Sequence, residues 1–351
     1  MFSFPQISSY LTQIPSVPAV KAELQAAFKE TKLLIIDEKG MIGLGRLAQI
    51  DSRLKEIRPE FADQAFGGLS MLLAGDFRQL PPVCDLALYS QKGGDAHQCI
   101  GRMLYKAFDK ESYQLRAQMR QQGDNNAVFR DQLERLAQGK FTQEDWTSWS
   151  HQNYDVMDKP NQDLFNNMGI QISALKRDCT EFNLSHLRKI GNPIAQLSAI
   201  NSRGASVYEA DHANGLRNKL YLAKGAKVVL TSNIWPQVHP FLLACLTLIL
   251  FQAKLVNGSK GTVEYMIYKE QGQSLPDLVI CHFPDYTGPS YLPGQEKMVP
   301  LAPLQASWTA KGQQYSRTQY PLILGWAITI HKGQGSTQSR VKITHLFNFY
   351  L

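Results

Sequence analysis

The chain has 351 residues, of which 44% are apolar and 19% charged, and this length is sufficient for two globular domains with buried cores. The ordinary apolar fraction and the absence of a Gly or Pro period exclude disordered, collagen-like and low-complexity proteins. Lys and Arg outnumber Asp and Glu by 37 to 30, and six of the seven excess charges lie in residues 119–351. This excess is compatible with a polyanionic partner, although many mildly basic proteins bind none.

The five cysteines are odd in number and widely spaced, and they form neither a C-x-x-C pair nor a His/Cys metal pattern. This usage is typical of free thiols in a reducing compartment. No basic segment followed by an apolar one opens the chain, so we predict no secretory signal. The longest apolar run, residues 241–251, is well short of the ~20 residues that a membrane-spanning helix needs.

The first third of the chain predicts a parallel α/β sheet. Strong helix formers occupy residues 17–31, and a short apolar run follows at residues 33–36, as in a buried parallel strand. Apolar residues then recur at three- and four-residue steps between Leu44 and Ile57, the spacing of an amphipathic helix. Residues 69–74 form a second apolar run, which gives the order strand, helix, strand.

The remaining residues predict a second α/β unit with a β-rich insertion. A helix is expected near residues 127–138, with Gly139 as its C-terminal stop. Further α/β segments are predicted at residues 170–175, 180–190 and 226–231. Many Pro, Gly and aromatic residues with short alternating runs at about 262–320 indicate a small β-rich insertion, after which residues 322–330 return to an apolar strand.

The hexapeptide LLIIDE at residues 33–38 has the form of a Walker B strand, in which a buried strand delivers two carboxylates to a phosphate site. In that interpretation Asp37 holds Mg²⁺, directly or through water, and Glu38 polarises the attacking water. By itself, a strand that ends in two acidic residues is more often a solvated edge.

The segment GDFRQLPPV at residues 75–83 again follows an apolar strand. We expect Gln79 beside the phosphate site, where its amide can donate to a γ-phosphate oxygen or to the water. The alternative is a proline-stiffened turn without a ligand. The pairing of this segment with LLIIDE favours an ATPase.

In the segment AQMRQQGD, residues 117–124, Arg120 stands at the expected junction between the two α/β units. An arginine supplied from the opposite domain can neutralise charge that develops on the γ-phosphate. A lone arginine is usually a surface residue, so this role depends on the surrounding motifs.

Two Gly-rich segments near the C-terminal end carry basic residues. In WAITIHKGQGST, residues 326–337, a strand enters a loop whose glycines let the backbone approach phosphates. Its polar side chains, which can bind a nucleic-acid backbone, are His331, Lys332 and Gln334. No second ligand stands near His331 at a metal-binding spacing, so we predict no metal there. LVNGSKGTV, residues 255–263, exposes Lys260, and its alternative interpretation is an ordinary hairpin.

The segments LLIIDE, GDFRQLPPV, AQMRQ, LVNGSKGTV and AITIHKGQG occur in the order seen in PIF-like DNA helicases of superfamily one, which include the helicase domains of Helitron transposons. The resemblance extends from about residue 17 to residue 343. It implies an α/β fold of two RecA-like parallel-sheet domains, an incomplete first at 1–118 and a second at 119–351, with a β-barrel-like insertion at about 262–320. It also implies an ATP–Mg²⁺ site between the domains and 5′-to-3′ movement on single-stranded or forked DNA.

Residue by residue, the resemblance implies Asp37 and Glu38 as the magnesium and water-activating pair, Gln79 as γ-phosphate sensor and Arg120 as arginine finger. It assigns DNA contacts and coupling to the nucleotide site to Lys260, His331, Lys332 and Gln334. Roles in DNA repair, recombination and telomere or genome maintenance follow from the same resemblance. We also expect a monomer that is located in the nucleus, with the mitochondrion as the alternative compartment.

The chain contains no Walker A loop, G-x-x-x-x-G-K-[ST], whose backbone N–H groups and lysine hold the β- and γ-phosphates. We therefore expect a chain truncated at its N-terminal end, with ATP turnover that is low or absent. The resemblance also implies an arginine-bearing motif after the HKGQG loop, so we expect truncation at the C-terminal end as well. A second hypothesis is a non-catalytic remnant of a helicase or Helitron transposon that binds single-stranded nucleic acid, and a third is an unstable fragment. The apolar residues 236–253 are either a retained non-coding segment or a short core helix.

Overall fold

The computed structural model describes residues 18–115, 117, 123, 126–151, 154–234, 255–270, 272–291, 294–336 and 340–344. The chain divides into two compact units, Met1–Ser150 and His151–Leu351. The division into RecA-like domains between residues 118 and 119 stays a prediction. Arg120 and the apolar residues 236–253 lie outside the described residues.

The first unit contains two strands and five helices within its described residues. In chain order these are α1 Pro18–Phe28, β1 Leu33–Ile36, α2 Leu44–Ile57, β2 Ser70–Leu73, α3 Ala96–Lys106, α4 Ala127–Ala137 and α5 Gln143–Ser150. Strands β1 and β2 pair in parallel, with Leu33 opposite Ser70 and Ile36 opposite Leu73. The predicted order of strand, helix and parallel strand is confirmed.

One face of α2 forms a large part of the core of the first unit. Its apolar side chains recur at three- and four-residue spacing and are almost fully buried: Leu44, Leu47, Ile50, Leu54 and Ile57. They pack with Ile36 of β1 and with Phe28 and Phe66. The opposite face of β1 stays about half exposed at Leu33 and Ile35, so this strand is covered on one side.

The second unit begins with α6 Lys159–Met168, β3 Ile170–Ser173 and α7 Lys176–Lys189. Its other strands are β4 Ala195–Ser198, β5 Ile200–Asn201, β6 Lys219–Leu222, β7 Lys227–Leu230, β8 Lys260–Ile267, β9 Leu278–His282, β10 Met298–Leu301, β11 Leu304–Ala310, β12 Gln313–Gln319, β13 Leu322–Leu324, β14 Ala327–Thr329 and β15 Val341–Thr344. A four-residue helical turn, α8 Ile330–Gly333, follows β14.

A parallel sheet of order β14-β3-β15 and several antiparallel sheets make up the second unit. The largest antiparallel sheet has the order β10-β9-β8-β7-β13, and smaller ones join β11-β12-β5 and β4-β6. Antiparallel pairing therefore extends beyond residues 262–320, because β7 pairs with β8 and β13 rather than with the parallel sheet.

The single strand expected at residues 322–330 is two strands that belong to different sheets. Strand β13 pairs with β7, and β14 pairs with β3. The change occurs at Gly325, whose N–H donates to the carbonyl of Lys227 at 2.8 Å. A Cβ on Gly325 would lie 3.1 Å from Val229 Cγ2, so a larger residue would fit poorly at this crossing.

Among the described helices, none is long and apolar enough to cross a membrane.

Candidate functional site

The carboxyl ends of β1 and β2 bring two predicted motifs together. Because parallel strands end at the same edge of a sheet, the residues after β1 meet those after β2. The N–H of Lys39 donates to the carbonyl of Ala74 at 2.8 Å. Gly75 has a φ of 138°, and a Cβ there would lie 2.6 Å from the Lys39 nitrogen. Glycine at this position allows the two loops to touch.

Asp37 and Glu38 stand at this shared edge. The side chain of Asp37 is exposed, and its Oδ1 accepts the backbone N–H of Glu38 at 2.8 Å. Glu38 is partly buried and has a left-handed backbone, with φ 56° and ψ 47°. Non-glycine residues adopt this conformation uncommonly, and such strained positions cluster at functional sites.

The exposed carboxylate of Asp37 is chemically suited to a magnesium ion. Mg²⁺ in nucleotide sites takes one or two protein carboxylates and fills its other positions with water and phosphate oxygens. Within the described residues, no group of three or more His, Cys, Asp or Glu could hold a metal ion by itself. A magnesium ion beside Asp37 would therefore take most of its ligands from water and a bound phosphate.

The loop after β2 is stiffened by an internal ion pair. Arg78 donates from its backbone N–H to Asp76 Oδ1 at 2.9 Å and from Nε at 3.2 Å, and its guanidinium lies 3.8 Å from Glu134. Burial opposes ionisation of Asp76, but Arg78 and the charge of Lys39 hold the pKa of this carboxyl below its usual value. Gln79 donates its backbone N–H to the Asp76 carbonyl at 3.3 Å, while its side chain is exposed.

Asp85 anchors the far end of the same loop to the N-terminus of α2. Its carboxylate accepts the backbone N–H groups of Gly45 and Arg46 at 3.2 and 2.9 Å and the Gln98 amide at 3.0 Å. Although burial opposes ionisation, these donors lower the pKa of Asp85. We did not predict a role for Asp85 from the sequence. The sequence signal for it is indirect: α2 begins after Gly43, which has no side chain that could cap the helix, so the cap must come from another residue.

In the second unit, the predicted loop of His331, Lys332 and Gln334 is the helical turn α8 and the residue after it. His331 and Lys332 are exposed, and the N–H of Gln334 donates to the carbonyl of Ile330 at 3.1 Å. The motif therefore presents its basic side chains from one turn at the carboxyl end of β14.

Buried Asn183 of α7 fixes the strand that leads into this turn. Its Oδ1 accepts the N–H groups of Trp326 and Ala327 at 3.0 and 2.9 Å, and its Nδ2 donates to the Ala327 carbonyl at 2.8 Å. One side chain thus satisfies three backbone groups at the start of β14, which positions α8 relative to α7.

Lys332 belongs to a cationic cluster that the motif alone did not reveal. Desolvation by the surrounding chain lowers the pKa of Lys332. The positive charges of Arg217 and Lys176 lower it further, while the negative charge of Asp211 opposes them. Lys176 is itself 2.9 Å from Asp211. The sequence signal was the basic segment 171–231, with nine Lys/Arg against four Asp/Glu.

Of the remaining predicted residues, Lys260 begins β8 and is exposed. It lies in the five-stranded antiparallel sheet, whereas α8 follows the parallel sheet. Arg120 lies outside the described residues, so its role as arginine finger stays a prediction.

Known proteins resemble this chain in sequence over most of its length. "ATP-dependent DNA helicase PIF6" of Trypanosoma brucei brucei is 24% identical over 340 residues, which cover 92% of this chain and 38% of that protein. "ATP-dependent DNA helicase PIF1" of Danio rerio is 26% identical over 315 residues, 89% of this chain and 42% of that protein. The chain thus spans about two fifths of the length of these relatives.

Solved structures share the fold. The Pif1 helicase of Candida albicans aligns with a TM-score of 0.65 at 21% identity, over 93% of this chain and 70% of that one. A Bacteroides Pif1 helicase in complex with ADP-AlF3 and single-stranded DNA aligns with a TM-score of 0.59 at 20% identity, over 94% and 67%. The described parallel sheets are accordingly those of a RecA-like α/β protein.

The family model described as PIF1-like helicase matches residues 3–146. This stretch contains the strand end with Asp37 and Glu38 and the loop with Gln79, which the structure brings to one edge. Together with the relatives aligned over most of the chain, the match shows that this chain is similar to the PIF1-like helicases.

Proposed function

We propose that this chain is the part of an ATP-dependent DNA helicase that carries the magnesium and water-activating residues and part of the DNA-binding surface. The observation that carries the proposal is the contact between the loops after β1 and β2, where Lys39 bonds to Ala74 and Gly75 leaves no room for a side chain. This contact holds Asp37, Glu38 and the Gln79 loop at one edge. The names of the relatives, ATP-dependent DNA helicases, agree with it.

In the proposed reaction, Asp37 would hold Mg²⁺, which when bound stabilises negative charge on the nucleotide phosphates. Glu38 would orient the attacking water and accept its proton. Gln79, exposed at the same edge, would contact the γ-phosphate or the water, and Arg120 would neutralise charge on the phosphoryl group. These roles follow from the resemblance and the chemistry of the side chains.

On the DNA side, His331, Lys332, Gln334 and Lys260 would contact the sugar–phosphate backbone of a single strand. Among the solved structures with this fold, one is of Bacteroides Pif1 bound to single-stranded DNA and another concerns unwinding of forked double-stranded DNA by two coordinating Pif1 helicases. We infer 5′-to-3′ movement, with each ATP cycle shifting the contacts along the strand. Roles in genome maintenance within the nucleus or mitochondria belong to the same proposal.

The test is DNA-stimulated ATP hydrolysis by the purified chain with Mg²⁺, beside Glu38→Gln and a control, Glu60→Gln, at an exposed residue of the short 3-10 helix Pro59–Phe61. Because no Walker A loop occurs in the sequence, we expect turnover close to background, with any remainder lost in Glu38→Gln and kept in Glu60→Gln. Robust turnover that Glu38→Gln removes would contradict the predicted weakness while supporting the role of Glu38. Turnover that survives Glu38→Gln would contradict that role.

The cationic cluster of Lys176, Arg217 and Lys332 favours a second candidate function, a non-catalytic module that binds single-stranded nucleic acid. Such binding needs phosphate contacts only and weakens steeply with salt. A labelled oligonucleotide separates the two functions: in the helicase, ATP with Mg²⁺ changes the affinity and Glu38→Gln alters that change. In the binding module, the affinity is the same with and without ATP.

A further inference from the structure

Two lysines occupy the same face of neighbouring strands in the five-stranded sheet. Lys227 of β7 is directly opposite Thr262 of β8, and Lys260 precedes Thr262 by two residues. Alternate residues of a strand point to the same side, so Lys260 is the diagonal neighbour of Lys227. Between them in the register, Val228 pairs with Gly261, and both residues are buried.

The two lysines line one pocket of about 170 Å³. The other lining residues are Gly169, Ile170, Val228, Gly261, Thr262, Pro284 and Gly325, and no acidic residue is among them. Three of these are glycines, so much of the wall is backbone. The pocket combines two cationic side chains, one hydroxyl and backbone in a space that holds several water molecules.

The two lysines of the pocket act on each other electrostatically. Burial lowers the pKa of Lys227, and the charge of Lys260 lowers it further. Although Lys260 is exposed to solvent, desolvation by neighbouring groups also lowers its pKa, while Asp285 opposes this. Lys227 donates to the Asn166 carbonyl at 3.4 Å. Holding two ammonium groups together costs free energy that a bound anion would recover.

Neighbouring groups extend this positive region. The pKa of His186 is lowered by burial and by three lysines, with the Phe182 carbonyl opposing them. These lysines are Lys189, Lys227 and Lys342. Lys342 lies over the ring of Tyr154, 4.1 Å from its centre. Clustered cations of this kind attract the phosphates of nucleic acids.

We propose that Lys227 and Lys260 together bind one phosphate group. The ligand chemistry is a tetrahedral phosphate held by two ammonium groups, with the Thr262 hydroxyl and backbone groups nearby. We assign it to a phosphate of a bound single strand, and this choice of source rests on the DNA binding proposed above. Lys227 thereby joins Lys260 as a DNA-contacting residue that no sequence motif indicated.

The first experiment measures the affinity for fluorescein-labelled oligo(dT) by anisotropy across a range of NaCl concentrations. Lys227→Met and Lys260→Met, which keep the aliphatic stem, are each expected to weaken binding about 3- to 10-fold. The double variant should weaken it by less than the product, because both lysines hold one phosphate. For the double variant, the slope of log affinity against log salt concentration should be smaller in magnitude than that of the wild type by about 0.7, the value for one phosphate of a single strand.

Two matched variants serve as controls. Lys219→Met removes an exposed lysine from β6 in another sheet and should leave affinity and salt slope close to wild type. Lys227→Arg keeps the charge and should retain most of the affinity, which separates loss of charge from loss of packing. If Lys219→Met weakens binding as much as Lys227→Met, the loss of affinity reflects the overall charge of the protein rather than a specific site, and the proposal is overturned.

The second experiment titrates inorganic phosphate into reductively ¹³C-methylated protein, whose lysines keep their charge, and follows the dimethyl-lysine NMR signals. We expect the signals of Lys227 and Lys260 to shift together and to saturate, and the Lys260 shift to be lost in Lys227→Met. This result supports the pocket even if the wild-type chain binds no DNA, in which case the proposed function fails and the source is free phosphate. Unchanged signals together with unchanged DNA affinity overturn the proposal.

Discussion

Removing the side chain of Asn183 tests how the basic turn α8 is positioned. In Asn183→Ala, two backbone N–H groups, those of Trp326 and Ala327, and the Ala327 carbonyl lose their hydrogen bonds to this side chain. Asn183 is 8% exposed, so bulk water has little access to replace these partners. Each buried polar group without a partner costs about 1–3 kcal/mol.

Three such groups give a loss of at least about 3 kcal/mol from the free energy of unfolding of the second unit. For a domain of this size, that corresponds to a melting temperature lower by about 6–12 °C. Because β14 leads directly into α8, we also expect weaker single-stranded DNA binding by Asn183→Ala below its melting temperature. Urea unfolding followed by circular dichroism measures the first effect, and fluorescence anisotropy the second.

The matched control is Asn192→Ala. Asn192 donates one hydrogen bond to the Lys224 carbonyl at 2.9 Å and is exposed, so we expect a loss of no more than about 0.5 kcal/mol. If Asn183→Ala is as mild as Asn192→Ala, the three hydrogen bonds do not hold β14, and the account of how α8 is positioned is refuted.

Three further substitutions test other parts of the fold by urea unfolding. Gly75→Ala places a Cβ 2.6 Å from the Lys39 nitrogen at φ 138° and should lower the free energy of unfolding by at least about 2 kcal/mol. The control Gly139→Ala, at φ 69° with open space around it, should lower it by about 1 kcal/mol. Equal losses would argue against the loop contact. Arg317→Lys should cost at least about 2 kcal/mol, because the fully buried guanidinium donates to four oxygen acceptors, and near-wild-type stability would contradict this. Asp85→Asn should lower the free energy of unfolding by about 1 kcal/mol above pH 5. The pKa of Asp85 in the folded protein is below its usual 3.8, so the stability advantage of the wild type should shrink as the pH falls below 3.8. A wild-type advantage that grows in acid would contradict this role of Asp85.

The local elements of the first unit could be predicted because each is specified by nearby residues. The apolar spacing between Leu44 and Ile57 gives α2 within its observed bounds. The short apolar runs that end before Asp37 and Gly75 give β1 and β2. Since parallel strands share a carboxyl edge, the sequence also placed the two motifs together.

Sheet membership in the second unit could not be predicted from local pattern. Strand β7 has the apolar run of a buried parallel strand, yet it pairs antiparallel with β8 and β13. The run at residues 322–330 divides at Gly325 because its two halves pair with strands far apart in sequence. Periodicity reports which residues are buried and leaves the choice of pairing partner open.

The sequence by itself determined the acidic strand end and the basic turn, because the residues of each are consecutive. Tertiary structure decided that Asp85 caps α2, that Asn183 holds β14 and that Lys227 lies beside Lys260. Each of these depends on residues more than 30 positions apart in the chain. Their proximity is fixed by long-range packing and strand register, which no short segment encodes.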